Sequence, residues 1–161
     1  MNVENVAYRQ PNSNQCFVCG IKNAFGLQLT FYDNGLDEVW TEYTVPEYFQ
    51  GYPGVAHGGV VAAMLDETCS RTAMIADNNH FMMTAKMDIK YRCPVPVNQT
   101  LKILGRLTKS RGRVLQAEGF IYLTGDIIAA QSLVTLVDIP ESILDGSKFK
   151  ELGWEIIDDG D

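Results

Sequence analysis

One stretch limits what this chain can fold into more than any other. Residues 57–77, HGGVVAAMLDETCSRTAMIAD, contain no proline, and Val60, Val61, Met64, Leu65, Thr68, Cys69, Thr72 and Ile75 recur at helical spacing. The spacing predicts a helix of about five turns, the one long helix this sequence supports. Its apolar faces are broad enough for it to be well buried. A loop rich in Pro and Gly over 46–55 leads into it, and the other regular segments read as strand. Leu27, Leu29 and Phe31 alternate with Gln28 and Thr30, Asp33-Asn34-Gly35 signals a turn, and residues 38–45 return as a second strand. Beyond Asn78-Asn79 come strand-like runs over 81–92, 100–110, 114–123 and 127–137. Two of their separators, Arg111-Gly112-Arg113 and Thr124-Gly125-Asp126, are as short as hairpins require. Two strands, one helix and four strands imply an α+β fold whose antiparallel sheet wraps the central helix.

A chain of 161 residues with 46% hydrophobic and 20% charged composition suits one globular domain. We expect a loosely ordered polar arm over 1–15, the folded domain over 16–140, and an acidic tail over 141–161 that carries Trp154 and packs at most a short helix. A net charge of -7 leaves no excess of Lys and Arg to displace phosphate counterions, which argues against nucleic acid or an anionic membrane as partner. No run approaches the roughly 18 apolar residues of a membrane span, and the first ten residues lack a basic-then-apolar signal, so a cytoplasmic location is expected. Cys16, Cys19, Cys69 and Cys93 are then expected as free thiols. The Cys16-x-x-Cys19 spacing suits a metal, but it supplies two ligands where a closed zinc site needs four, and His57 and His80 do not complete the set. No metal is expected, and the pair is read as small buried hydrophobes.

The chemistry concentrates at the helix start. Gly58 and Gly59 fall where backbone N–H groups have no intrahelical partner and the helix dipole is positive. Without side chains there, a carbonyl can approach closely, and an oxygen that becomes negative during reaction gains most. Asp66 sits in an otherwise apolar helix, where a carboxylate is costly unless solvated, hydrogen-bonded or paired. Arg71 lies five residues on, a poor helical spacing for an ion pair; Glu67 and Arg71 have the favourable spacing of four. Glu67 is therefore explained structurally, and Asp66 is left for chemistry. Nine residues of helix separate His57 and Asp66 by about 13 Å and put them on roughly opposite faces. If both act on one substrate, a two-fold partner must supply one of them, giving a dimer with shared sites.

These residues resemble the hotdog-fold thioesterases, in the HGG branch that includes the member-4 and phenylacetic-acid types. The matching segments are Gly54-Val55-Ala56-His57-Gly58-Gly59, Met64-Leu65-Asp66, the run from Met83 to Tyr91, Pro94 and Pro96, together with the N-terminal CFVCG, Asn23 and GLQLTF. Ala24 departs from the proline that such relatives often carry. The resemblance implies a hotdog fold and hydrolysis of an acyl-coenzyme A to the free acid and coenzyme A. It implies Asp66 as nucleophile or general base, the Gly58 N–H polarising the thioester carbonyl, His57 helping to position it, and Thr84 orienting the attacking group across the subunit interface. Gly59, Glu67, Lys90, Arg92, Arg111, Gly112 and Arg113 are the residues expected at the substrate, with the basic ones directed to the phosphates of coenzyme A. Apart from coenzyme A as part of the substrate, no cofactor is expected, and the assembly is a homodimer or a dimer of dimers. Phe49, Tyr52, Phe81 and Met82 are expected to set the depth of the acyl pocket. The rival reading is a hotdog protein that binds acyl groups without turning them over; a hydratase fits less well, because His57 stands at the helix start.

Overall fold

The computed structural model describes residues 6–158. Seven strands make up one antiparallel sheet: β1 (Tyr8–Arg9), β2 (Tyr32–Asp33), β3 (Glu38–Thr44), β4 (Met82–Tyr91), β5 (Thr100–Arg111), β6 (Val114–Leu123) and β7 (Ile127–Asp138). Their order across the sheet is β1-β2-β3-β5-β6-β7-β4. The helix α1 (Gly58–Ser70) lies against this sheet, and a short helix α2 (Gly146–Leu152) follows near the C-terminus.

Period decides the architecture. On α1, Val60, Val61, Met64, Leu65, Thr68 and Cys69 are buried, a stripe at steps of one, three and four that faces the sheet. Each Val, Leu or Met side chain fully buried there contributes about 1.5–3 kcal/mol. The strands answer with alternation: Leu101, Ile103 and Gly105 of β5, and Leu115, Ala117, Gly119 and Ile121 of β6, turn inward. Gly105 and Gly119 are cross-strand partners. A Cβ at Gly105 would stand 2.6 Å from the Thr68 carbonyl oxygen, and one at Gly119 would stand 2.8 Å from Cys69 Sγ. The pair lets the helix lie directly on the sheet.

The four long strands after α1 and the strand of residues 38–44 stand close to where the sequence puts them. Three expectations need correction. The residues Leu27, Leu29 and Phe31 are buried in alternation, yet they form no ladder strand: Gln28 takes a positive φ of 57°, and the backbone bonds instead to the Cys16-Phe17-Val18 turn through Leu27 N to Phe17 O and Leu29 N to Val18 O, each 2.8 Å. The long helix stops at Ser70 and tightens into a 3₁₀ turn over Arg71–Met74, with Thr72 Oγ1 donating to the Cys69 carbonyl at 2.7 Å. The arm is not loose where it is described. Gln10, Asn12 and Ser13 are buried polar residues, and Asn12 Nδ2 donates to the carbonyls of Cys19 and Leu29, both at 2.8 Å. Residues 1–5 of the expected arm lie outside the described residues.

Candidate active site

The loop ahead of α1 is held by its own backbone: Ala56 N donates to Val95 O at 2.8 Å and His57 N to Phe49 O at 2.9 Å. His57 then caps the helix, its Nδ1 accepting the Gly59 N–H at 2.9 Å while its carbonyl accepts from Val60 and Val61. Gly59 was expected at the substrate, but its amide is spent on this cap. Gly58 N–H is left at the exposed helix end with no intrahelical acceptor. Tyr91, at the far end of β4, donates through its hydroxyl to the Gly58 carbonyl at 2.7 Å. Its ring lies 3.7–3.8 Å from where a Gly58 Cβ would be. Nothing in the sequence singled Tyr91 out, because its role depends on β4 folding back along α1.

Asp66 is half-buried on α1, and Thr84 Oγ1 of the same chain donates to its Oδ1 at 2.5 Å. Thr84 was expected to act across a subunit interface; the contact is made within one chain, because β4 runs beside α1. The bond leaves Oδ2 without a hydrogen-bond partner among the described residues. Next to it, Glu67 forms the anticipated pair with Arg71, Oε1 to Nε at 3.1 Å. Arg71 is 1% exposed, donates to Pro11 O at 2.5 Å, and lies between the rings of Phe31 and Trp154 at 4.6 and 4.8 Å. Burial pushes the Glu67 carboxyl up to about 7, although Arg71 pulls the other way.

Asp66 and Thr84 line a cleft of about 360 Å³ whose other walls include Phe81, Met82, Leu152 and Trp154. Phe81 and Met82, two of the four residues expected to set the pocket depth, line this cleft. Phe49 and Tyr52 are not in this lining, and Tyr52 is an exposed loop residue. The C-terminal tail supplies what sequence reasoning missed. Trp154 Nε1 donates to Asn78 O at 2.8 Å and its ring packs edge-on against Phe81, so the tail forms one wall of the cleft. The lone tryptophan in an acidic tail was the available signal.

Cys16 and Cys19 line the same cleft beside Glu67. The ligand atoms of these three residues lie within 4.8 Å of one another, and they are the metal-capable group of this kind among the described residues. The Cys16 thiol is lowered to about 7, chiefly by its hydrogen bond with Cys19, while that same bond and burial raise Cys19.

The basic candidates separate into two groups. Lys90 and Arg92 lie at the Tyr91 end of β4, where both Nε and Nη2 of Arg92 donate to Gln131 Oε1 at 2.9 and 2.8 Å. The Arg111-Gly112-Arg113 turn joins β5 to β6 at the other end of the sheet. Val114 there pairs with Val137, which pairs in turn with Met83. Gly112 has the positive φ of 58° that such a turn needs, and Arg113 reaches Asp138 at 3.7 Å. The Arg turn is therefore nearer the Thr84 end of β4, and Lys90 and Arg92 nearer the Gly58 end.

Residues 53–130 match the family model described as thioesterase superfamily. Acyl-coenzyme A thioesterase THEM4 of Bos taurus is 32% identical over 103 residues, which are 63% of this chain and 41% of that protein. The chain spans less than half the length of the curated relatives it matches first. Among solved structures, a thioesterase superfamily protein superposes with a TM-score of 0.68 at 27% identity, over 76% of this chain and 60% of that one. Zebra fish thioesterase superfamily member 2 shares the fold with a TM-score of 0.65 at 17% identity, over 74% and 87%.

Proposed function

We propose that this chain, whose residues 53–130 match the thioesterase superfamily model, hydrolyses acyl-coenzyme A thioesters with Asp66 as the attacking group or general base. The observation that carries this reading is the Asp66 carboxylate, fixed by Thr84 in the wall of a largely apolar cleft. A carboxylate kept there without an ion partner of its own among the described residues has a use as a reacting group. Water attacks the thioester carbon as Asp66 takes its proton, or Asp66 Oδ2 attacks first and water then cleaves the anhydride. In either path the carbon–sulfur bond breaks, coenzyme A leaves as its thiolate and is protonated, and the acid is released. The developing oxyanion is met by the free Gly58 N–H at the positive end of a helix.

That Gly58 belongs to a second subunit. Within one chain, β4 joins the two half-sites at its opposite ends, with Thr84 on Asp66 and Tyr91 on Gly58. Among the described residues β4 is also an edge strand with one side unpaired. Antiparallel pairing of two β4 edges about a two-fold axis brings Thr84 opposite Tyr91 of the partner subunit, and so joins Asp66 to the partner's Gly58 twice per dimer. The same pairing gathers Arg111 and Arg113 with the partner's Lys90 and Arg92, a basic rim for the phosphates of coenzyme A. Among the described residues no helix is long and apolar enough to cross a membrane. We place the reaction in the cytoplasm.

The test is thiol release from a panel of short, medium, long and aromatic acyl-coenzyme A substrates. On the best of them Asp66→Asn is expected to lose about 10²–10⁴-fold in rate. Full activity in that variant would remove Asp66 from the mechanism, and saturable acyl-coenzyme A binding without thiol release would make this a binding protein.

A further inference from the structure

The CFVCG turn has no part in the hydrolysis just described, yet its geometry is specific. Val18 N and Cys19 N both donate to Cys16 Sγ, at 3.3 and 3.5 Å. Two backbone amides aimed at one sulfur favour a thiolate there. The turn also depends on Gly20, since a Cβ at that position would stand 2.3 Å from the Cys16 carbonyl oxygen. Ser13 Oγ lies 3.3 Å from Cys19 Sγ, which orients the second sulfur. Both cysteines stay unpaired as disulfides. Across the cleft wall α1 supplies Glu67, whose Oε2 is 4.0 Å from Cys16 Sγ.

Spacing in the sequence offered two ligands; the fold brings a third. The ligand atoms lie within 4.8 Å of one another. Bond lengths of about 2.3 Å to sulfur and 2.0–2.2 Å to oxygen imply ligand separations near 3.5–3.8 Å in a tetrahedral site, so small side-chain rotations close the set. The carboxylate is already oriented for it: Arg71 holds Oε1 at 3.1 Å and leaves Oε2 facing the sulfurs. Charge balances as well. Two thiolates and one carboxylate carry three negative charges, and the buried Arg71 with a divalent ion carries three positive ones.

We propose that Cys16, Cys19 and Glu67 bind a zinc-type divalent ion, with its fourth position open to the cleft that holds Asp66. Two thiolates select a soft or borderline ion over magnesium or calcium. Three protein ligands and one open position leave room for water or a ligand atom arriving in the cleft. The ion also ties the N-terminal segment to α1, so it stabilises the wall on which Glu67, Arg71 and Trp154 meet. The site stands whether or not the chain hydrolyses thioesters.

The test uses untagged full-length protein kept reduced with a phosphine. Titration with cobalt(II) is expected to produce thiolate-to-metal charge-transfer absorption and the intense visible bands of a tetrahedral site. These should saturate at about one ion per chain and vanish on adding zinc. Cys16→Ser and Cys19→Ser should abolish the bands, Glu67→Gln should weaken binding at least about tenfold, and Cys93→Ser should leave it unchanged. A readout that needs no variant is zinc release from the loaded wild-type protein, followed with a colorimetric chelator as a mercurial caps the thiols. Zinc should also raise the melting temperature of the wild type and leave Cys16→Ser unmoved. Absence of charge-transfer bands, their survival in the Cys16→Ser/Cys19→Ser double variant, or a Cys16–Cys19 disulfide that persists under these reducing conditions would each overturn the proposal.

Discussion

At the scale of single residues the site depends on one short contact. Thr84 Oγ1 holds Asp66 Oδ1 and thereby fixes the plane of the carboxylate. Thr84→Val keeps the shape and removes the donor, so kcat should fall roughly tenfold with KM nearly unchanged, and Thr84→Ser should restore most of it. Steady-state kinetics on the best substrate checks both. Asp66 and Thr84 were legible as residues, from a carboxylate out of place in an apolar helix and from the family pattern. Their contact was not legible, because 18 residues and a change of element separate them. Cys69 offers a separate check. Buried on α1, with burial the chief cause and Asp66 and Glu118 adding to it, its thiol is pushed up to about 12. Alkylation needs the thiolate, so at pH 8 mass spectrometry should find Cys69 unmodified in the native protein and modified after denaturation.

At the scale of elements, the fit of α1 onto β5 and β6 is set by what is missing from the sheet. Gly105 faces the Thr68 backbone, which cannot move aside as a side-chain end could. Gly105→Ala should therefore destabilise the chain by about 1–3 kcal/mol, read from the denaturant midpoint at constant slope. A glycine inside a strand normally signals weakness or a bulge. Here it signals close approach, and which of these applies depends on the helix across from it. The period of three and four along residues 60–69 and the alternation along β5 to β7 were plain in the sequence, since each follows from backbone geometry alone. The end of α1 was less plain: the apolar pattern runs on past Ser70, while the backbone tightens where Arg71 turns in to Glu67 and Pro11.

At the scale of the molecule, the proposed mechanism gives each chain two half-sites at opposite ends of β4. Mixing Asp66→Asn chains with Gly58→Pro chains separates shared from self-contained sites. Proline at the first helical position removes the Gly58 N–H and fits the helix. After subunit exchange about half of the dimers are mixed and each holds one intact site, so activity should return to about a quarter of the wild-type level. No recovery, with exchange verified by native mass spectrometry, would show that a single chain completes the site. Asp88 lies near the middle of the span from Thr84 to Tyr91, so Asp88→Cys should cross-link two chains under mild oxidation on a non-reducing gel.

The sequence by itself determined the α+β class, the central helix and the four long strands after it, and it singled out Gly58 and Asp66 as candidates for a site. These are local facts, fixed by side-chain periodicity, by the bare amides of a helix start, and by the cost of a carboxylate among apolar neighbours. Only the tertiary structure decided that Thr84 meets Asp66 within one chain, that His57 spends the Gly59 amide, that the tail brings Trp154 over the cleft, and that Glu67 joins Cys16 and Cys19. The physical reason is common to all but the helix cap: each joins segments well apart along the chain, and their meeting is fixed by the packing of α1 against the sheet and of the two termini against α1. The cap is a contact of two residues, yet its rotamer is chosen by the loop that packs around His57.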